Sequence, residues 1–191
     1  MFEEGSTLEY RIGVFGLPSA GKTSLIHKLC NYYDDNLDPT MNEEQYTMII
    51  QNYFIYFWDF PKHILTPKSA PDHLIGFGGL LFVFNILDDI SLVREFFESM
   101  IQVEALQNIP LLLIGTKFDL VPEEDQQIYN PSPIMNNITI HFKKTQCIFV
   151  SSQTGQGLDE IVEWIQKRAI SLDVCENQVF ENIQPSSVTS S

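Results

Sequence analysis

Gly16-Leu17-Pro18-Ser19-Ala20-Gly21-Lys22-Thr23 follows the apolar run Ile12-Gly13-Val14-Phe15 and precedes Leu25, Ile26 and Leu29 at helical spacing. It matches the pattern G-x-x-x-x-G-K-[ST] in the strand-then-helix context that this pattern requires. Such a loop needs glycines because consecutive backbone N–H groups must curl around phosphate oxygens with no side chain in the way. Lys22 is placed to reach the β and γ phosphates of a nucleotide, and the Thr23 hydroxyl to complete a Mg²⁺ shell. The helix that starts here adds the partial positive charge of its N-terminus. Candidate phosphate contacts are therefore Gly16, Ser19, Ala20, Gly21, Lys22, Thr23 and Ser24. The loop alone does not choose between a kinase, an ATPase and a GTPase.

Working outward, short apolar runs alternate with helix-like stretches, the signature of βα units on a parallel sheet. Lys22 to Tyr32 reads as a helix. Tyr46 to Ile50 and Tyr53 to Trp58, separated by Gln51-Asn52, read as adjacent antiparallel strands. Leu80 to Phe84 and Leu111 to Ile114 are unbroken apolar runs and fit central strands covered on two faces. Ile90 to Gln107 carries a broad apolar stripe at helical spacing, Cys147 to Val150 is a sixth strand, and Leu158 to Ile170 is a closing helix. Val121 to Lys144, with three prolines, reads as a loop-rich insertion holding at most one short helix. Residues 1–171 make one domain; 172–191 turn polar and end in a Ser-rich tail that is expected to be mobile.

A chain of 191 residues with 44% apolar content can bury a single core without help. Eleven Lys+Arg against 25 Asp+Glu give a net charge of −14. That balance disfavours nucleic acid, whose affinity comes largely from cationic contacts, and disfavours docking on an anionic leaflet. Three cysteines, Cys30, Cys147 and Cys175, are too few and too scattered for a disulfide framework. The acidic N-terminus lacks a signal-peptide pattern. Phe2 excludes N-myristoylation, and Ser-Ser-Val-Thr-Ser-Ser carries no prenylation box. A soluble, cytoplasmic protein with no direct lipid anchor is expected.

Thr116-Lys117-Phe118-Asp119, directly after the run Leu111 to Ile114, selects the base. A carboxylate there can accept from the ring N–H and exocyclic amine of guanine, whereas adenine offers an acceptor where guanine has a donor. The Lys117 stem can lie against the base plane. With this motif the sequence resembles the Ras-like small GTPases over roughly Tyr10 to Ile170, in the right order and spacing. The resemblance implies an α/β P-loop G domain: a six-stranded, mostly parallel sheet with one antiparallel edge strand and helices on both faces. It places Thr116, Lys117 and Asp119 at the guanine. Ser151-Ser152-Gln153 takes the place of the family's S-A-K, with Gln153 for its lysine. Tyr33 (or Tyr32) stands where the family packs an aromatic ring on the guanine edge.

Asp38-Pro39-Thr40 is similar to the family's first switch, so the resemblance implies that Thr40 ligates Mg²⁺ and touches the γ-phosphate only in the triphosphate state. Asp59, at a strand end, fits the carboxylate that holds Mg²⁺ through a water. In the family's D-x-x-G-Q a glycine N–H binds the γ-phosphate and the glutamine orients the attacking water. Here those positions are Lys62 and His63, an atypical second switch. Lys62 keeps its N–H but its Cβ restricts the turn, and His63 could position water with a different reach and proton inventory. Asp59-Phe60-Pro61 and Asp88-Asp89 bear a faint similarity to Rag-type GTPases.

The resemblance implies a GTP/GDP switch over Asp38 to Met41 and Asp59 to Asp72, with slow hydrolysis. Lys22, Thr40 and His63 would be its catalytic groups, and protein effectors with exchange and activating factors its partners. The alternative is a nucleotide-bound scaffold that does not cycle. It draws on Lys62, His63 and Gln153, since binding residues are present where hydrolytic ones depart.

Overall fold

The computed structural model describes residues 8–30, 44–50, 52–60, 76–101, 108–127, 142 and 145–183. Strand β1 (Leu8–Gly16) leads into helix α1 (Lys22–Leu29). Strands β2 (Glu44–Ile50) and β3 (Tyr53–Asp59) follow, then β4 (Gly79–Asn85), helix α2 (Ile90–Ile101) and β5 (Leu111–Thr116). A single 3₁₀ turn (Phe118–Leu120), a one-turn helix α3 (Glu123–Gln126), strand β6 (Gln146–Phe149) and helix α4 (Leu158–Ile183) complete the described elements.

The strands form one six-stranded sheet in the order β2-β3-β1-β4-β5-β6. Only β2 and β3 are antiparallel, pairing in unbroken register from Glu44 opposite Asp59 to Ile50 opposite Tyr53. All other pairs are parallel. This is the α/β sheet that the alternation of apolar runs predicts.

The two faces can be read from single contacts. On one face of β1 and β4, Tyr10 and Gly79 meet α4, where an added Cβ on Gly79 would lie 3.2 Å from Trp164. On the other face the Phe82 ring lies 4.3 Å from Phe97 and 5.2 Å from Phe96 of α2. Helices thus cover both faces of the central strands, and β4 and β5 are buried along nearly their whole length. Helix α1 turns Leu25, Ile26 and Leu29 onto the sheet. Beside it the His27 ring meets Tyr46 of β2 edge-on at 4.9 Å.

Several element boundaries differ from the sequence reading: β1 begins at Leu8 rather than Ile12, and β2 at Glu44 rather than Tyr46. Helix α1 ends at Leu29, with Cys30 as its C-cap donating its N–H to the Ile26 carbonyl; Asn31 and Tyr32, the rest of the helix expected from the sequence, lie outside the described residues. Strand β6 runs Gln146–Phe149, one residue earlier than expected. Helix α4 does not stop near Ile170 but continues to Ile183, through the 171/172 boundary and into the segment read as a tail. In the segment read as an insertion, Phe142 is core: it is 1% exposed, with its ring 6.4 Å from Phe97. Residues 102–107 and 184–191, parts of the expected second helix and tail, lie outside the described residues. No helix among the described residues is long and apolar enough to cross a membrane.

Phe82 is fully buried and its ring also faces Phe15 and Phe84 at 5.8 Å and 6.2 Å. Truncation leaves a void that the four neighbouring rings, fixed by their own packing, cannot close. Phe82→Ala is expected to cost about 3–5 kcal/mol, seen as a lower urea midpoint at unchanged m-value. Ile49→Thr, on the exposed edge strand at 66% exposure, is expected to change stability by under about 0.5 kcal/mol.

Candidate functional site

Because β3, β1, β4, β5 and β6 run parallel, their carboxyl ends all open on one edge of the sheet. Asp59, Gly16, Asn85, Thr116 and Phe149 end the five strands there. Ligands in open α/β sheets bind outside such an edge. Among the described residues, those singled out from the sequence come from the loops after β1, β5 and β6 and from Asp59 at the end of β3.

The loop 16–23 is drawn tight against β4. Gly16, at φ +150°, sits where a Cβ would overlap the Val83 carbonyl oxygen, and the next N–H, of Leu17, donates to that same carbonyl at 3.2 Å. Gly21 is left-handed at φ +86° and caps α1, and Ser19 holds a left-handed φ of +58°. Ala20 is buried, while Pro18, Ser19 and Ser24 are exposed at the rim. Lys22 bends back so that Nζ donates to the Leu17 carbonyl at 3.2 Å. Burial holds its pKa below the ordinary lysine value, and the Asp59 carboxylate opposes that shift.

The base-selecting motif meets this loop directly. Thr116 is buried, and its hydroxyl donates to the Ala20 carbonyl at 2.6 Å, with the Phe84 carbonyl 3.1 Å away. Lys117 is the second left-handed non-glycine residue among those described, at φ +60°, and its Nζ donates to the Ser19 carbonyl at 3.2 Å. The lysine stem therefore bridges the motif to the loop 16–23. Asp119 follows within the 3₁₀ turn and is partly exposed. Phe118 packs beneath with Ile86, Val121 and Phe149, its ring 5.3 Å from Phe149.

The third segment starts at Ser151, which is fully buried. Its N–H donates to the Gln156 carbonyl at 3.0 Å, its carbonyl accepts from Gly155 N–H at 2.9 Å, and its hydroxyl accepts from Thr154 N–H at 3.1 Å. Gly157, at φ +76°, allows the turn, since a Cβ there would come within 2.5 Å of the Phe149 carbonyl oxygen. Ser152 is half-buried and Gln153 exposed. Backbone bonds tie this segment to the base motif: Phe118 N–H donates to Val150 at 3.0 Å, and Val150 N–H to Gly115 at 2.8 Å.

Asp59 is fully buried, and the Thr23 hydroxyl donates to its Oδ2 at 2.5 Å. A hydroxyl and a carboxylate are hard oxygen donors, and Mg²⁺ accepts one or two of these while keeping water and phosphate ligands. The pair fits that ion. No group of three His, Cys, Asp or Glu among the described residues could cage a metal by itself, so a nucleotide would have to complete the shell.

Tyr32, Tyr33, Thr40, Lys62 and His63 lie outside the described residues. Sequence reasoning missed the backbone acceptors: the carbonyls of Ala20, Ser19, Leu17 and Val83 do as much to shape the site as the side chains. No residue type marks a carbonyl. The signal lay in Thr116 and Lys117, whose polar ends need partners once strand β5 is known to be buried.

The family model for the ADP-ribosylation factor family matches residues 2–169. ADP-ribosylation factor-like protein 2 of Arabidopsis thaliana is 26% identical over 82% of this chain and 85% of its own length. ADP-ribosylation factor-related protein 1 of Rattus norvegicus is 24% identical over 83% and 84%. Among solved structures, the Arl6 small GTPase of Trypanosoma brucei, with a bound GppNp nucleotide analogue, superposes with a TM-score of 0.68. It is 15% identical, over 85% of this chain and 98% of that one. A bacterial selenocysteine-specific elongation factor gives a TM-score of 0.67 at 22% identity over 86% of this chain, which spans only 29% of that protein. The strand order and helix placement described above are shared with these folds. The chain belongs to the ADP-ribosylation factor family, and so is a GTP-binding regulatory protein of the Ras-like small GTPase superfamily.

Proposed function

We propose that this chain is a GTP/GDP-dependent molecular switch with slow intrinsic hydrolysis, acting in the cytoplasm through protein effectors. The observation that carries the reading is the pair of bonds from Thr116 to the Ala20 carbonyl and from Lys117 to the Ser19 carbonyl. They lock the guanine-selecting motif to the phosphate loop, so that one ligand bearing both groups meets one rigid surface. Gly16, Ser19, Ala20, Gly21, Lys22, Thr23 and Ser24 take the phosphates. Thr116, Lys117, Asp119, Ser151, Ser152 and Gln153 take the base, with Tyr33 at its edge. Thr23 and Thr40 would hold Mg²⁺, with Asp59 behind them through a water, and the ion would supply neutralisation of phosphate charge.

In the chain itself, Lys22 exchanges the neutral Leu17 carbonyl for phosphate oxygens, a charge-assisted and stronger bond. Thr40 and Lys62 sense the γ-phosphate, and His63 orients the attacking water. The three arginines are Arg11, Arg94 and Arg168. Arg11 pairs with Glu9 at 3.9 Å and Arg168 stacks over Trp164 at 5.5 Å. An arginine that offsets transition-state charge would come from an activating partner. Cys30 and Cys147 are half-buried, and burial pushes their thiols up to about 11 and about 12, which makes them poor nucleophiles.

A second reading, a scaffold that holds nucleotide without turning it over, is favoured by one sequence observation, Lys62-His63 in place of Gly-Gln. The nucleotide recovered from the purified protein separates the two. Mostly GDP supports the switch, and GTP near one per chain supports the scaffold.

Lys22→Ala and Asp119→Ala are each expected to lower GTP affinity by at least about a hundredfold in titration calorimetry, since each removes charge-assisted bonds at one end of the ligand. Unchanged affinity in both would overturn the assignment of the site. In single-turnover hydrolysis the wild type is expected at about 10⁻⁴ to 10⁻² per second or slower. Lys62→Gly/His63→Gln is expected to be faster, and equal rates would show that the two departures do not govern turnover.

A further inference from the structure

Gln126 stands in the segment that the sequence presents as loop-rich, on α3, with no role assigned to it by any motif. Its side chain is half-buried behind the turn that carries Asp119. Its amide nitrogen donates to the Val121 carbonyl at 2.8 Å and to the Phe118 carbonyl at 3.3 Å. Its amide oxygen accepts from Gln156 Nε2 at 3.4 Å. Two carbonyl acceptors on one end fix which end is NH₂. The backbone carbonyl of the same Gln156 accepts the N–H of Ser151. A polar chain thus runs from both ends of the Asp119 turn, through Gln126 and Gln156, to the first residue of the Ser151 segment. Asp119, Gln126, Thr154 and Gln156 also wall one open cleft of about 540 Å³.

We propose that Gln126 is a positioning residue for guanine selection: by clamping the Phe118 and Val121 carbonyls and bridging to Gln156, it fixes the Asp119 carboxylate against the Ser151 segment. The proposal rests on the reading above, in which Asp119 accepts from the base and a Ser151-segment N–H meets its carbonyl. The mechanical reason lies in where the turn's other restraints act: Lys117 Nζ holds the Ser19 carbonyl on the entry side, and Phe118 and Val121 pack beneath with Ile86 and Phe149. Phe118 N–H to Val150 fixes its entry, and the bonds Leu120 to Lys117 and Val121 to Phe118 are internal to the turn. Gln126 adds a polar tie at its exit, on the Val121 carbonyl, which limits swing of the turn about its entry. Selection between bases is sensitive to such swing, because a carboxylate that must accept two parallel bonds tolerates little misalignment.

The test uses the full chain and compares GDP with IDP, which lacks the exocyclic amine that Asp119 would accept from. Affinities come from competition against a fluorescent guanine nucleotide, with pyrophosphate as a probe of the phosphate loop alone and a melting curve for each variant. Gln126→Ala removes the clamp. Gln126→Glu keeps the size and replaces the donating NH₂ with an acceptor, so it reads the same bonds should the alanine variant fold poorly. Both are expected to lower the GDP-over-IDP preference by about threefold to tenfold and to leave pyrophosphate affinity unchanged. Glu123→Ala, on the same cleft but outside the polar chain, is expected to match the wild type. A preference that both Gln126 variants retain, whether or not their melting temperatures fall, overturns this proposal alone. A wild type with no preference for GDP over IDP overturns it together with the guanine reading beneath it.

Discussion

A buried hydroxyl donating to a backbone carbonyl, Thr116 to Ala20 at 2.6 Å, holds the two halves of the site in one frame. Thr116 ends β5 and Ala20 belongs to the loop after β1, strands separated in the sheet by β4. The bond therefore reaches across a strand, and it can do so only because the loop 16–23 folds back over β4. That fold-back depends in turn on Gly16, which lets the chain pass against the Val83 carbonyl where a side chain would collide. Thr116 is close to both Ala20 and Phe84 carbonyls, so its removal would leave buried acceptors without a donor, the costlier side of hydrogen-bond energetics. Lys117 adds a second, more exposed tie to Ser19. Both residues joined by that tie are non-glycine and left-handed, a conformation that costs energy and persists where the surroundings over-determine it.

The sheet supplies the rest of the frame. Five parallel strands must send their carboxyl ends in one direction, and among the described residues the loops 16–23, 116–119 and 151–153 all leave from that edge. The large apolar core under it, with Phe15, Phe57, Phe82 and Phe84 fully buried, makes the strand ends immobile relative to one another. Precision at the edge is inherited from packing beneath it.

Much of this was legible in the sequence because the signals are local. Leu80 to Phe84 and Leu111 to Ile114 could be central strands because no solvent face interrupts their apolar runs. The motif at Gly16 to Thr23 carries its own geometry in the spacing of its glycines. The α4 end was misjudged because its last turns become polar, and composition was taken as a boundary where the backbone runs on to Ile183. Phe142 was missed for a different reason: a single core residue in a stretch of prolines and asparagines has no period to betray it, and only its contact with Phe97 reveals its place. Gln126 was equally silent, since an amide that holds carbonyls looks in sequence like any surface glutamine.

The electrostatics of the site set it apart from its own molecule. A chain of net charge −14 presents an unfavourable field to a polyanionic ligand, so long-range attraction cannot gather nucleotide to it. Attraction must be local, and the local cation is Lys22. Burial disfavours its charge while Asp59 favours it, and the first effect is the larger. Without ligand, the lysine is thus a cation held in surroundings that compensate it incompletely, bonded only to a neutral carbonyl. An anion delivered to that point relieves the deficit twice, by replacing the neutral acceptor with a charged one and by stabilising the protonated form. The buried Asp59, which accepts from Thr23, opposes the effect of burial on that cation. The acidity of the whole molecule and the affinity of the loop for phosphate are therefore compatible, because screening by solvent confines the first to the surface while the second is decided within a few ångströms of Lys22.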